Sequence, residues 1–298
     1  MKLLLFGANG QVGWELQRSL SPLGVLISLD RHNTEPCGDL SNLSGLARAV
    51  ASVRPDVIVN AAAYTAVDKA EADVENADLI NALAPEALAI AAHAVGAWLV
   101  HFSTDYVFDG SGDKPWLETD VTGPLSVYGR TKLDGELRIA AHCPKHLIFR
   151  TSWVHAARGG NFAKTMLRLA RERDTLSIVN DQFGAPTGAD LLADVAAHAI
   201  RQVAASSNNA GVYHVAAAGE TTWFNYAKYV VAESIRAQAA PEIIVKSINP
   251  VATSAFPTAA KRPHNSRMDT SKLQQTFGLQ LPPWQLGVKR MLIESNLI

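Results

Sequence analysis

Residues 2–13 read Lys2-Leu3-Leu4-Leu5-Phe6-Gly7-Ala8-Asn9-Gly10-Gln11-Val12-Gly13, and the fold turns on them. Lys2 to Phe6 is an apolar run without alternation, as a strand covered on both faces reads. Gly7, Gly10 and Gly13 follow at once, and Val12, Leu16 and Leu20 then recur at helical spacing. Strand, glycine-rich turn and helix opening in this order form the phosphate-cradling element of a dinucleotide fold. Glycine lets the backbone approach a pyrophosphate, while the helix N-terminus supplies oriented N–H groups and a positive dipole. Gly7, Gly10, Gln11, Val12 and Gly13 are therefore candidate cofactor-binding residues.

Working outward, Val25 to Leu29 reads as a second strand closed by Asp30. An acid there can accept hydrogen bonds from ribose hydroxyls, or simply close a turn. Arg31 beside it could meet a 2′-phosphate, so NADH and NADPH both stay open. Asp39 in Asp39-Leu40 lies on the cofactor path or caps a helix. Asp56 to Asn60 gives a strand running into Ala61-Ala62-Ala63-Tyr64-Thr65, whose small residues admit a flat ring, a phosphate or a tightly packed helix. A helix is predicted over 71–95, with Asn81 in its middle held by a buried structural hydrogen bond. The strand Trp98 to Phe102 then meets Ser103-Thr104-Asp105-Tyr106, and alternation lets only one of Ser103 and Thr104 face the site. Leu147 to Arg150 is the next strand, ending at Thr151-Ser152-Trp153.

This β-α repetition predicts an α/β fold, a Rossmann-type doubly wound parallel sheet. Residues 1–152 would form the dinucleotide-binding domain, joined by part of 175–220. After Trp153 regularity fades. Helices are predicted over 162–173 and 190–203 and from Thr222, with strands over 176–179 and 212–215. Asp181 to Thr187 is turn-rich, 205–210 is a polar loop and 250–266 a long loop. Residues 153–298 therefore read as a smaller, irregular α/β substrate-binding lobe, discontinuous in sequence.

Tyr128 and Lys132 in Tyr128-Gly129-Arg130-Thr131-Lys132 lie four apart, on one face of a helix. That spacing sets a phenol beside an ammonium, and a nearby cation favours the ionised phenol. The pair can donate and accept a proton at a substrate oxygen, although many solvated helices carry the same spacing.

The 298 residues carry a formal charge of -1, so no basic footprint argues for nucleic acid or an acidic membrane. Cys37 and Cys143 stand far apart without metal-ligand spacing, which fits a reduced, cytoplasmic chain. The apolar start ends at Gly7, too short for a secretion signal. No uninterrupted apolar stretch is expected to span a membrane.

Together, Gly7-x-x-Gly10-x-x-Gly13, Asp30, Asp39-Leu40, Thr104 and Tyr128-x-x-x-Lys132 resemble the extended short-chain dehydrogenase/reductase superfamily. Ser103-Thr104-Asp105-Tyr106-Val107-Phe108-Asp109-Gly110, Asp181-Gln182-Phe183-Gly184-Ala185-Pro186-Thr187 and Arg262-Pro263-His264-Asn265-Ser266-Arg267 resemble its dTDP-4-dehydrorhamnose reductase branch. The resemblance runs from the first strand to the last helix. It implies reduction of the C4 ketone of dTDP-4-dehydro-L-rhamnose by NADH or NADPH, giving dTDP-L-rhamnose for cell-surface polysaccharide such as the O-antigen of lipopolysaccharide. Tyr128 would be the acid, Lys132 would hold the nicotinamide ribose and lower the phenol's pKa, and Thr104 would polarise the carbonyl. Gly10, Gln11 and Val12 would meet the pyrophosphate. Asp30, Asp39, Leu40, Ala62, Ala63, Tyr64 and Thr65 would line the cofactor path, and Thr104, Asp105, Tyr128 and Trp153 would contact the substrate. Trp153 could instead pack between the lobes.

A dehydratase of the superfamily would carry an Asp-Glu pair where Asp105-Tyr106 stands. A reductase-epimerase would need a further acid/base pair, for which only His155 offers itself. A non-enzymatic regulatory subunit of the same fold is the third alternative. Some members of the branch join two subunits through Mg2+, and Glu15, Asp190 and Glu294 fall near the positions involved. The expectation is a homodimer whose contact includes these three carboxylates.

Overall fold

In the computed structural model, Lys2–Phe6 forms β1, with Leu3 to Phe6 fully buried. Residues 1–206, 208–238 and 242–298 are described; Ser207, in the predicted 205–210 loop, and residues 239–241 lie outside the described residues. The first half alternates as expected. β1 is followed by α1 (Gln11–Leu20), β2 (Val25–Leu29), α2 (Leu43–Val53) and β3 (Val57–Asn60). Next come α3 (Val67–Ala70), α4 (Val74–Asp78), a π turn (Leu79–Leu83), α5 (Ala84–Val95), β4 (Trp98–Thr104), α6 (Val127–His142) and β5 (His146–Thr151).

The second half holds β6 (Val154–His155), α7 (Phe162–Glu172), β7 (Thr175–Val179), β8 (Phe183–Gly184), β9 (Thr187–Gly188), α8 (Ala189–Ala205) and β10 (Gly211–His214). It closes with β11 (Thr221–Thr222), α9 (Trp223–Arg236), β12 (Ser247–Val251), α10 (Ser271–Phe277) and α11 (Trp284–Glu294).

Six strands pair in the order β10-β5-β4-β3-β1-β2, every neighbour parallel. Alternate residues of β1 feed opposite cores. Leu3 and Leu5 pack with Leu16 of α1, Leu192 and Ile200 of α8 and Phe277 of α10. Leu4 and Phe6 pack with Leu46 of α2, Leu88 of α5 and Ile139 of α6. The strand order reverses between β1 and β3, which opens a crevice at the carboxyl ends of the strands, where ligands bind in such sheets. Gly7, Asp30, Ala61, Thr104 and Thr151 all lie at those ends.

The chain returns to this sheet after Trp153, through β10 on β5 and α8 beneath β1. The remainder forms a separate layer, in which α7, α9 and α11 bury Leu167, Tyr226 and Trp284 together and β12 pairs with β7. Segment 260–268 crosses back over the first half. Arg262 binds Asp68 at 2.7 Å, and Phe183 bridges Asn265.

Four expectations need correction. The helix predicted over 71–95 begins at Val74 and runs to Val95, but with a π turn over Leu79–Leu83 just ahead of Pro85, which has no N–H to give the regular helical bond. β4 runs two residues past Phe102, carrying Ser103 and Thr104 to the crevice. The loop predicted over 250–266 begins inside β12, whose five residues pair with β7 across more than seventy residues of chain. Finally, the helical run Val74–Val95, with a mean hydropathy of 1.2, is long and apolar enough to cross a membrane by length and composition. Its apolar side is covered by α2 and the sheet, and its Glu86 pairs with Arg138 at 2.6 Å. That is the surrounding of a core helix.

Candidate active site

One cavity of about 1300 Å³ occupies the crevice, room beyond the usual single-ligand pocket. At one end the glycine turn is built as the sequence requires. Gly7 adopts φ +86°, and a Cβ on Gly13 would fall 2.0 Å from the Gly7 carbonyl oxygen, so a side chain there would push α1 off the turn. Gly13 thus shapes the cavity from behind, while Gly7, Gly10, Gln11 and Val12 line it. Asp30, Asp39, Leu40, Ala62, Ala63, Tyr64 and Thr65 line the middle. Thr104, Asp105, Tyr128, Lys132 and Trp153 line the far end.

Several side chains show how these positions are held. Asp30 accepts the His32 N–H at 2.8 Å and the Asn9 side-chain amide, so it closes a turn and faces the crevice at once. Asp39 accepts from the Ser41 backbone and hydroxyl. It is not the cap of α2, because Asn42 takes that place by accepting the Gly45 N–H. Asn81, fully buried in the π turn, accepts the Tyr64 N–H at 2.8 Å and donates to the Tyr64 carbonyl and the Thr131 hydroxyl. The buried hydrogen bonds expected for Asn81 thus fasten the Ala62–Thr65 wall to α6.

At the far end, Ser126 caps α6 through the Gly129 N–H, and the helix presents Tyr128 and Lys132 on one face. The Tyr106 ring meets Tyr128 edge-on at 5.5 Å. Burial raises the Tyr128 phenol well above its usual pKa; a hydrogen bond from Thr104 opposes this, and Asp105 and Tyr106 add to it. Lys132 Nζ donates to the Phe102 carbonyl at 2.6 Å and meets His101 Nε2 at 3.0 Å. Burial pushes Asp105 up to about 6, against hydrogen bonds from Ser266 and Thr104. Trp153, at φ +49°, stacks on Trp223 at 3.6 Å and also lines the cavity.

Buried Gln11 Oε1, Ser103 Oγ, Asp105 Oδ2, Thr151 Oγ1 and Ser152 Oγ have no protein partner, and all five residues line the cavity. Buried polar atoms are ordinarily satisfied, so this row marks a surface built for a polar ligand. Both Ser103 and Thr104 face it, because the cavity wraps the end of β4. Sequence reasoning missed Arg158, which donates to the Asn9 carbonyl beside the glycine turn and lies 4.1 Å over the Trp14 ring. It also missed Trp223, Ser266 and His101, whose places depend on packing across distant segments. His155 is buried away from the cavity and supplies no acid/base partner for an epimerase.

Within one chain, Glu15, Asp190 and Glu294 gather around Arg290 and not around a shared cation position. Arg290 takes Glu294 at 2.9 Å and reaches Asp190 at 3.4 Å, with Glu15 in its field. A guanidinium thus sits where a cation would. Among the described residues no group of three His, Cys, Asp or Glu could hold a metal.

The family described as the RmlD substrate binding domain matches residues 1–297. The dTDP-4-dehydrorhamnose reductase of Shigella flexneri is 62% identical over 294 residues, 99% of this chain and 98% of that protein. The Escherichia coli K12 protein of the same name is 61% identical with the same coverage. A solved Bacillus anthracis dTDP-4-dehydrorhamnose reductase in complex with NADP superposes with a TM-score of 0.86 at 36% identity, covering 98% of this chain and 99% of that one. A Clostridium acetobutylicum reductase of the same name gives 0.88 at 37%, again covering 98% and 99%. A full-length match on this scale, together with a cavity lined by the motif residues, places the chain in the RmlD family, that of the dTDP-4-dehydrorhamnose reductases.

Proposed function

We propose that this chain is an NAD(P)H-dependent dTDP-4-dehydrorhamnose reductase, reducing the C4 ketone of dTDP-4-dehydro-L-rhamnose to dTDP-L-rhamnose. The observation that carries the reading is one cavity with a glycine turn at one end and Thr104, Tyr128 and Lys132 at the other. The orphaned polar row between them and the glycine cradle fit a nicotinamide dinucleotide, which supplies a hydride when bound. Gly10, Gln11 and Val12 would hold its pyrophosphate and Asp30 its adenosine ribose. At the far end, hydride addition leaves an alkoxide that needs a proton, and the raised phenol of Tyr128 carries one at neutral pH. The Thr104 hydroxyl, which here donates to Asp105 Oδ1 at 3.1 Å, can turn to the same substrate oxygen. Lys132 is within the same wall to meet a ribose hydroxyl. Trp153 and Tyr106 close the end with aromatic surface and keep water from the reacting atoms.

We assign residues 1–152, with α8 and β10, to the cofactor side, and the rest of 153–298 to the substrate side. Pairing of β10 with β5 and packing of α8 on α1 support the first; pairing of β7 with β12 supports the second. A homodimer is supported by Leu286 and Ile293, exposed seven residues apart on α11 around Arg290, and sedimentation tests it. The reductase reading is tested by turnover with the keto-sugar nucleotide and NADH or NADPH, following cofactor and product together. Tight cofactor binding without product would leave the regulatory-subunit reading in its place.

A further inference from the structure

Against the cavity wall lies a buried chain of three side chains, of which the mechanism above uses only Lys132. Asn60 ends β3, His101 lies in β4 and Lys132 in α6, each only 1% exposed. The Ala62 N–H donates to Asn60 Oδ1 at 3.1 Å. A backbone N–H can only donate, so this contact fixes which way round the amide sits. Asn60 Nδ2 therefore faces His101 Nδ1, at 3.1 Å. An amide NH2 also only donates, so Nδ1 must accept, and the neutral ring carries its proton on Nε2.

That Nε2–H points at Lys132 Nζ across 3.0 Å, while Nζ donates to the Phe102 carbonyl at 2.6 Å. An ammonium has donors and no acceptor. It would face the Nε2–H donor to donor. A neutral amine satisfies every atom of the chain: it accepts from Nε2–H and donates to Phe102. An imidazolium fails as well, because its Nδ1–H would meet the Asn60 NH2.

We propose that His101 and Asn60 are positioning residues that hold Lys132 as a neutral amine in the cofactor-free reductase. This rests on the reductase reading for its significance, and on the hydrogen-bond geometry alone for its content. The other charged and titratable groups facing Lys132 do not reverse it. Glu136, one turn on in α6, favours the ammonium, but it is held in a buried bidentate pair by Arg150 of β5. Tyr128, one turn back, and Asp105, just after β4, are a phenol raised by burial and a carboxyl raised to about 6. Burial likewise pushes Lys132 down to about 8. Lys132 becomes a group that titrates near working pH.

The test is lysine side-chain NMR on the cofactor-free protein with 13Cε-labelled lysine, the resonance being assigned by its loss in Lys132→Met. The expected midpoint for Lys132 lies at least about one unit below the ordinary lysine value near 10.4. Asn60→Asp offers Nδ1 an acceptor, turns the Nε2 lone pair towards Lys132 and raises the midpoint at least tenfold in proton affinity. In a His101→Phe background the same Asn60→Asp change acts only through its charge, and its shift is smaller. A wild-type midpoint at the ordinary value overturns the proposal, as does an equal Asn60→Asp shift in both backgrounds. A purely structural role for His101 moves neither midpoint. No substrate or cofactor enters the measurement, so its failure and the failure of the reductase assay are separate results.

Discussion

Tyr128 is the residue on which the chemistry rests, and its phenol, raised by burial, should stay protonated until an alkoxide forms in front of it. Tyr128→Phe keeps the ring and its edge contact with Tyr106 while removing the proton. Turnover should fall about 10²–10⁴-fold with cofactor affinity retained; near-normal reduction would sink the assignment. Asp30 faces the crevice as an anion beside Arg31. Asp30→Ala should weaken NADH more than NADPH, because it also removes a charge opposed to a 2′-phosphate. Equal losses, measured by titration of each cofactor, would reduce Asp30 to a turn residue. Asp105 gives a pH signature. Its folded value of about 6 lies above the ordinary 3.8, so the folded state holds the proton more tightly. Its stabilising contribution is full below about 3.8 and is lost as pH rises through about 6, a change on the order of 2–3 kcal/mol. Asp105→Asn should flatten that part of the stability–pH curve; an unchanged slope in denaturant titrations would refute this. Motif residues such as Tyr128 were legible because their chemistry demands a short, fixed spacing. Asn60, His101 and Ser266 were not, since each works through a partner brought from another strand or loop.

Among the elements, α6 carries most of the organisation and shows a cost that its sequence hides. Glu136 lies one turn beyond Lys132 and meets Arg150 of β5 through three contacts of 2.6–3.1 Å, both residues buried. A pair that deep is worth little against a well-packed apolar replacement, yet breaking one side strands a charge. Arg150→Met should therefore destabilise the fold by roughly 3–5 kcal/mol, read as a lower denaturation midpoint. A loss below about 1 kcal/mol would mean that water reaches Glu136. The strands of the first half were legible because each is an apolar run ending in a ligand-facing residue. The helical run to Val95 was legible, but its π turn was not, because apolar periodicity passes unbroken through it; there Asn81 grips the Tyr64 backbone. β12 was hidden because its burial is slight and its partner β7 is far away in sequence.

At the scale of the whole molecule, two surfaces tie the cofactor side to the rest, and they differ in kind. Around Arg290 the three carboxylates once expected to bind a cation already face a guanidinium, so EDTA should leave both sedimentation and turnover unchanged. The other tie spans the mouth of the cavity. Arg262, in the segment that crosses back from the second half, pairs with Asp68 of α3 at 2.7 Å and hydrogen-bonds Tyr106. Tyr106 in turn packs edge-on against Tyr128. The Arg262 and Asp68 side chains keep 34% and 45% of their exposure, and pairs of that kind contribute only about 0–1 kcal/mol. Arg262→Ala should therefore hardly shift the denaturation midpoint. Its effect belongs to the site: Tyr106 loses its tether, the aromatic wall beside Tyr128 loosens, and water gains access where the proton is transferred. The expected result is a fall in kcat/KM for the sugar nucleotide of about tenfold or more, since small misplacements in a site cost this much. Affinity for the nicotinamide cofactor, measured without substrate, should stay within about twofold, because the glycine turn lies at the opposite end of the cavity and Arg262 does not line it. A variant that loses stability and cofactor affinity together would instead make Arg262 a structural clamp between the two halves.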